Sequence, residues 1–274
     1  MLNVETRHAI HQDHARSLQT DDLRKHFLGE GLFQEGEIRL IYTHYDRFTL
    51  GGAVPDGGVL VLDKVEETKT DNFLERRELG IVNIGESGIA RAGGESWTLE
   101  KGDVLYLGRG AGAVSFEGQG RFYLTSAPAH ATFPNKLVRI GEAKKVSLGE
   151  AETSNKRDIY QFIHPLVMES CQLVLGYTQL LDGSVWNTMP AHIHDRRMEA
   201  YLYWGMEPEA RVIHFMGEPQ QTRHLVVANE QAAISPPWSI HAGAGIGGYT
   251  FIWAMAGDNV DYTDMEFIQP GDLR

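Results

Sequence analysis

The residues best able to do chemistry lie in the second half of the chain. P-A-H-I-H-D-R-R-M-E runs from Pro190 to Glu199, and P-P-W-S-I-H runs from Pro236 to His241. His192 and His194 are two apart, so on a strand both side chains face one side. On a helix they would diverge by about 200°, given 3.6 residues per turn. Pro190 before them and an aromatic run after them favour a strand. Glu199 lies five beyond His194, the wrong parity for one unbroken strand. A bend or bulge at Asp195–Arg197 must therefore return it to the inward face. His241 has to arrive from another strand. Three imidazoles and one carboxylate form a donor set for zinc, iron, manganese, cobalt or nickel, with room for substrate if the metal shell expands. The competing account is a set of hydrogen-bonded polar residues lining a barrel.

Other side chains around this set are candidates for the remaining work. Tyr201 and Tyr203 share the parity of Glu199 and are candidate catalytic residues, as is Glu230. Arg197 and Arg223 are candidates to hold a substrate carboxylate through paired hydrogen bonds, and Trp238 is a candidate substrate contact. Trp253 reads as core or pocket wall. A second histidine group, His8, His11 and His14, lies near the N-terminus and reads as an exposed or interface face. Cys171 reads as an inert thiol at a strand entry; as the single cysteine it leaves no intrachain disulfide, which fits a reducing compartment.

Such residues need a scaffold, and the pattern predicts a β one. After Gly36 the chain becomes short alternating runs broken by Gly, Pro, Asp and Asn, as in I-R-L-I-Y-T (38–43), D-V-L-Y-L (103–107), A-Y-L-Y-W (200–204) and Y-T-F-I-W (249–253). Many short strands with frequent turns predict a sandwich or barrel. A short helix through Asp21–Phe27, capped by Thr20, is expected before them. The two halves also repeat each other. L-E-R-R-E-L-G-I-V-N-I-G (74–85) aligns with H-D-R-R-M-E-A-Y-L-Y-W-G (194–205), and 103–108 can be laid on 231–236. Two tandem copies of one barrel follow, with the joint in the polar stretch Gly141–Asn155. The expected domains are 1–150 and 151–274. In this alignment the four candidate ligands fall on Asn72, Leu74, Leu79 and Ala113, so the first copy is expected to carry no metal there.

The chain carries 25 Lys+Arg against 37 Asp+Glu, a formal net charge of −12. That argues against nucleic acid or an anionic membrane as the main partner. No signal-peptide pattern and no run of roughly 18 apolar residues is present, so a cytoplasmic protein is expected. Neither G-x-S-x-G, a phosphate loop nor G-x-G-x-x-G occurs.

The chain resembles the 4-deoxy-L-threo-5-hexosulose-uronate ketol-isomerase (5-keto-4-deoxyuronate isomerase) family over nearly its whole length. The resemblance rests on F-L-E-R-R-E-L-G-I-V-N-I-G (73–85), W-N-T-M-P-A-H-I-H-D-R-R-M-E (186–199), Q-Q-T-R-H (220–224), N-E-Q-A-A-I-S-P-P-W-S-I-H (229–241), Y-T-F-I-W (249–253) and the final D-L-R (272–274). It implies an all-β bicupin, two tandem cupin (jelly-roll) barrels with short helical segments. It also implies one Zn2+ per subunit on His192, His194, Glu199 and His241, and a homohexamer. The implied reaction interconverts 5-dehydro-4-deoxy-D-glucuronate and 3-deoxy-D-glycero-2,5-hexodiulosonate in pectin and uronate degradation. The alternatives are a metal-dependent cupin dioxygenase, 5-deoxy-glucuronate isomerase (against which R-R-M-E and S-P-P-W-S-I-H lean) and a non-enzymatic sugar-binding cupin.

Overall fold

The alternating runs form strands, and the strands form the same pair of sheets twice. The computed structural model describes residues 1–258, 260 and 263–274. One seven-stranded sheet has the order Leu2–Arg7, Glu37–Thr43, Thr49–Val54, Phe122–Pro128, Arg77–Asn83, Val104–Leu107, Lys136–Val138. A four-stranded sheet accompanies it, ordered Leu60–Leu62, Val114–Gly118, Gly88–Ala92, Glu95–Leu99. The second seven-stranded sheet runs Lys144–Leu148, Arg157–Ile163, Val174–Leu180, Thr250–Gly257, Arg197–Trp204, Ala232–Ser235, Leu28–Gly29. Its four-stranded companion is Trp186–Asn187, Ala242–Gly245, Val212–Glu218, Gln221–Val227.

The copies agree in register as well as in order. Leu79 stands opposite Leu107 and Ser126; Glu199 stands opposite Ser235 and Met255. This is the duplication that the sequence alignment predicts, and the all-β bicupin class holds. In the first copy, Leu74 and Leu79 belong to a core drawn from both of its sheets, with Ile81, Leu105, Phe116 and Phe122. Asn72 spends its side chain locally: Oδ1 accepts from the Leu74 amide at 2.9 Å and Nδ2 donates to Asp63 at 2.7 Å.

The chain divides into two compact units. One comprises Met1–His8, Gly31–Ala143 and Phe162–Leu175; the other comprises Ala9–Glu30, Lys144–Gln161 and Gly176–Arg274. Segments 9–30 and 144–150 belong to the second unit and 162–175 to the first, whereas the sequence reading divides the chain at residue 150.

Segment 9–30 carries the helix Thr20–Phe27. Gln19 is its N-cap, and Thr20 is its first residue rather than its cap. Asp21 and Asp22 in the first turn suit the positive end of the helix dipole. Leu23 and Phe27, four apart, share the buried face. Phe27 meets Trp238 edge to face with centroids 6.1 Å apart. Among the described residues, no helix is long and apolar enough to cross a membrane.

Candidate metal centre and its pocket

His192 lies on the short strand His192–Ile193, which pairs with Glu266–Phe267. Its neighbours Ala191 and Ile193 join a small apolar cluster with Ile240 and Ala242. The intervening residues are therefore apolar because they face away from the histidines. The expected bend is a turn at Asp195 and Arg196, closed by the Arg197 amide donating to the His194 carbonyl at 3.2 Å. Beyond it, the strand Arg197–Trp204 carries Glu199 back to the inward face. His241 follows the turn that the Ser239 amide closes on the Pro236 carbonyl at 2.9 Å, just before strand Ala242–Gly245.

These segments bring together one ligand atom from each of His192, His194, Glu199 and His241, all within 4.8 Å of one another. Glu199 Oε2 lies 3.0 Å from His194 Nε2 and 2.8 Å from His241 Nε2. His241 Nε2 is 2.9 Å from His192 Nε2. The outer ring nitrogens of His194 and His241 are engaged elsewhere. His194 Nδ1 donates to the Arg197 carbonyl at 2.8 Å, and His241 Nδ1 is 3.2 Å from Ser235 Oγ. Such outer partners fix the tautomer and aim Nε2 at the centre. His194, Glu199 and His241 are buried, and His192 is half-buried at the mouth.

Electrostatics select the ligating state. Burial pushes His192 down to about 2, with the neighbouring His241 ring acting in the same direction. Burial also lowers His241. For Glu199, burial acts upward, but the attraction of His241 and hydrogen bonds from His194 and His241 hold it well below the usual carboxylate range. An ionised carboxylate beside neutral imidazoles is the form that binds a divalent cation. Buried and convergent, the donor set fits a metal.

The turn depends on a glycine. Gly257 lies opposite Arg197 across the ladder, and a Cβ there would overlap the Arg196 carbonyl oxygen. Gly257→Ala must displace the Asp195–Arg196 turn and with it Glu199. The expected cost is about 2 kcal/mol of stability and a fall in metal affinity of at least about tenfold. Thermal unfolding and metal titration of the variant check this; unchanged affinity would mean the turn adapts elsewhere.

A cavity of about 300 Å³ opens onto the cluster. Its lining includes His192, Glu199, Tyr201, Thr188, Thr178, Arg157, Gln161 and Trp253, with Met255, Phe251 and Phe267. Tyr201 is thus where its parity predicts, 3.1 Å from Thr188 Oγ1. Trp253 is pocket wall, its Nε1 donating to Thr178 Oγ1 at 3.1 Å.

Five other sequence candidates lie off this cavity. Tyr203 is fully buried and hydrogen-bonds His214 Nδ1 at 2.7 Å. Glu230 sits in a turn with φ 61°, its amide donating to the Tyr203 carbonyl at 2.8 Å. Arg197 is fully buried against Asp264, with contacts of 2.5 and 3.0 Å, and against Met255. Arg223 clamps the N-terminal segment, donating to the carbonyls of Ala15, Arg16 and Leu18. Trp238 packs on Phe27. None of the five lines the cavity, and Arg197, Arg223 and Tyr203 spend their side chains on other hydrogen bonds.

The N-terminal histidines do not form a metal group among the described residues. His11 caps the short helix Gln12–Ala15, and His8 meets His44 at 3.2 Å. Cys171 is half-buried, with Sγ 3.1 Å from His130 Nδ1.

Residues that sequence reasoning did not single out are Arg157, Gln161, Thr178 and Thr188. The signal for the first two was available in R-D-I-Y-Q-F-I. Arg157, Ile159 and Gln161 alternate along one strand, and all three line the cavity.

Comparison with known proteins gives a consistent picture. A family model described as the KduI/IolB family matches residues 27–269. A 4-deoxy-L-threo-5-hexosulose-uronate ketol-isomerase of Agrobacterium fabrum is 70% identical over 274 residues, all of both chains. One from Cereibacter sphaeroides is 62% identical, again over all of both chains. Among solved structures, an IolB-like protein from Salmonella typhimurium superimposes with a TM-score of 0.68 at 16% identity, covering 81% of this chain and 86% of that one. At that identity the likeness speaks for the fold alone.

Proposed function

The chain belongs to the KduI/IolB family, and from that premise we propose that it is the ketol-isomerase of 4-deoxy-L-threo-5-hexosulose uronate. The substrate is an aldehyde with a neighbouring hydroxyl, and the product is the 2,5-diketo acid. Isomerisation removes the proton from the hydroxyl-bearing carbon, passes through an enediolate and returns a proton to the aldehyde carbon. No oxidant or reductant is consumed. The observation that carries this reading is the three-histidine, one-glutamate cluster opening into a cavity of substrate size.

His192, His194, Glu199 and His241 would hold a divalent metal, whose chemistry is to polarise the carbonyl and stabilise the enediolate oxygens. Glu199 remains ionised and occupied as a ligand, so it is unsuited to proton transfer. Tyr201 is two residues along the same strand face and carries its hydroxyl beside Thr188. It is the group suited to move a proton at the substrate oxygens, with Thr188 Oγ1 orienting its Oη. The apolar wall of Phe251, Met255 and Trp253 limits water around the intermediate. Tyr201→Phe is expected to lower kcat by about 10²-fold or more, as loss of a proton-transfer group does, with metal content unchanged. Unaltered kcat would remove Tyr201 from the chemistry.

We assign zinc as the metal, one per subunit, on the family resemblance; three imidazoles and one carboxylate are donors that zinc accepts. Homohexameric assembly and a cytoplasmic role in pectin and uronate breakdown belong to the same reading. Exposed Val61, on the edge strand Leu60–Leu62, and Val59 just before it, 52% and 57% accessible, are apolar surface that such an assembly would cover. Elemental analysis and sedimentation test these two points.

The reaction is tested by proton NMR of 5-dehydro-4-deoxyuronate with the metal-loaded protein. Appearance of the 2,5-diketo acid is the expected result. No conversion by folded, metal-replete protein would overturn the assignment.

A further inference from the structure

We infer that Arg157 is the anion-recognition residue of this cavity and that Gln161 accepts a hydrogen bond from a hydroxyl of the same ligand. The pocket thereby favours sugar acids over neutral sugars. The inference rests on the cavity being the substrate site and names what that site selects.

Arg157 is the single Lys or Arg in the cavity lining, and Glu199 the single carboxylate, among the described residues. Glu199 is turned to the histidines, so no acid pairs with Arg157. Its hydrogen bond is to the Asn155 carbonyl at 2.9 Å, through Nη1. The remaining guanidinium donors match the fork geometry of a carboxylate. Other buried guanidiniums in this protein are handled differently. Arg197 is paired with Asp264, and Arg77 is bonded to Thr49, Ser126 and two carbonyls. A half-buried cation left without a carboxylate, in a wall that is otherwise largely apolar, is costly unless a ligand supplies the charge. Consistently, burial lowers the pKa of Arg157, opposed by the nearby Tyr201.

Gln161 extends the argument along the same strand face. Its Oε1 is buried and has no hydrogen-bond partner. Buried acceptors are seldom left so, and one lining a cavity is satisfied by what enters it. Arg157 and Gln161 are four residues apart. That is about 13 Å of strand, at roughly 3.3 Å per residue. Long side chains at that separation converge on one small polyhydroxy acid. Arg157 also lies close enough to Tyr201 to interact with it electrostatically, and Tyr201 neighbours Glu199 on its strand. The carboxylate of the ligand would therefore bind at Arg157 while its carbonyl end reaches the histidine cluster.

The test uses the full-length, metal-loaded protein and two measurements. First, KM and kcat for 5-dehydro-4-deoxyuronate are compared in wild type, Arg157→Gln and Arg157→Lys. Arg157→Gln should raise KM about 100-fold, the value of two charge-assisted hydrogen bonds, with kcat changed far less and with partial rescue by lysine. Second, calorimetry compares binding of D-glucuronate and D-glucose. Wild type should prefer the acid by at least about tenfold, and Arg157→Gln should lose that preference at an unchanged melting temperature. Gln161→Leu should weaken both sugars alike. Preference for the acid retained in Arg157→Gln, or absent in wild type, overturns the inference. If wild type fails to isomerise the ketouronate but prefers glucuronate through Arg157, the isomerase reading fails and this one stands.

Discussion

Glu199→Gln should empty the metal site while leaving the fold intact. Glutamine matches the shape of glutamate, so the strand Arg197–Trp204 loses no packing volume. What it loses is the charge that His194 and His241 face at 3.0 and 2.8 Å. Three neutral imidazoles and an amide hold a dication far less well than three imidazoles and a carboxylate. Loss of an outer-sphere partner alone costs about 10–100-fold in metal affinity, so a lost ligand should cost at least about 100-fold. Carbonyl polarisation by the metal is worth several kcal/mol, so turnover should fall by about 10³-fold or more. Elemental analysis after dialysis, turnover under metal excess, and thermal unfolding separate the effects. Full metal content with full turnover would show that Glu199 is not a ligand that matters. Loss of the fold with loss of metal would make the site structural first. His194→Ala extends the comparison, because it removes a ligand and also the bond from Nδ1 to the Arg197 carbonyl.

Much of this site is legible in the sequence because its constraints are local. H-x-H on a strand is a statement about parity, and the turn at Asp195 and Arg196 follows from the parity of Glu199. The alternation of Ala191 and Ile193 with the two histidines reflects an apolar cluster on one side and ligands on the other. The duplication is legible because equivalent strands keep equivalent registers, Leu79 with Leu107 and Glu199 with Ser235.

The sequence candidates that lie off the cavity are placed by contacts that local patterns do not encode. Arg223 and Trp238 resemble substrate residues only while segment 9–30 is ignored. That segment lies about two hundred residues away and absorbs both of them. Arg157 is masked for another reason. It follows a polar, turn-rich stretch, and its strand puts arginine and glutamine on the inward face. A pocket wall breaks the rule of apolar residues inward, and that breach is itself the signal for a binding surface.

Arg197 separates a structural from a substrate role most sharply. Its side chain is inaccessible, and its guanidinium meets both carboxylate oxygens of Asp264. Arg77 holds the equivalent place in the first copy, where Ser126, Thr49 and backbone carbonyls satisfy it instead of an acid. Burial there pushes the Arg77 guanidinium down to about 10. An arginine at this strand start is therefore common to both copies, and among the described residues only one copy carries the three-histidine, one-glutamate group. Arg197→Met should leave Asp264 buried without its cation, at a cost of about 3–5 kcal/mol. For a chain of this size the melting temperature should fall by about 10 °C. The protein that remains folded should show a KM close to wild type, since Arg197 does not line the cavity. Adding Asp264→Leu removes the stranded charge and should restore most of the lost stability, because the two sites are coupled. A KM raised 100-fold at an unchanged melting temperature would reverse this assignment and return Arg197 to the substrate.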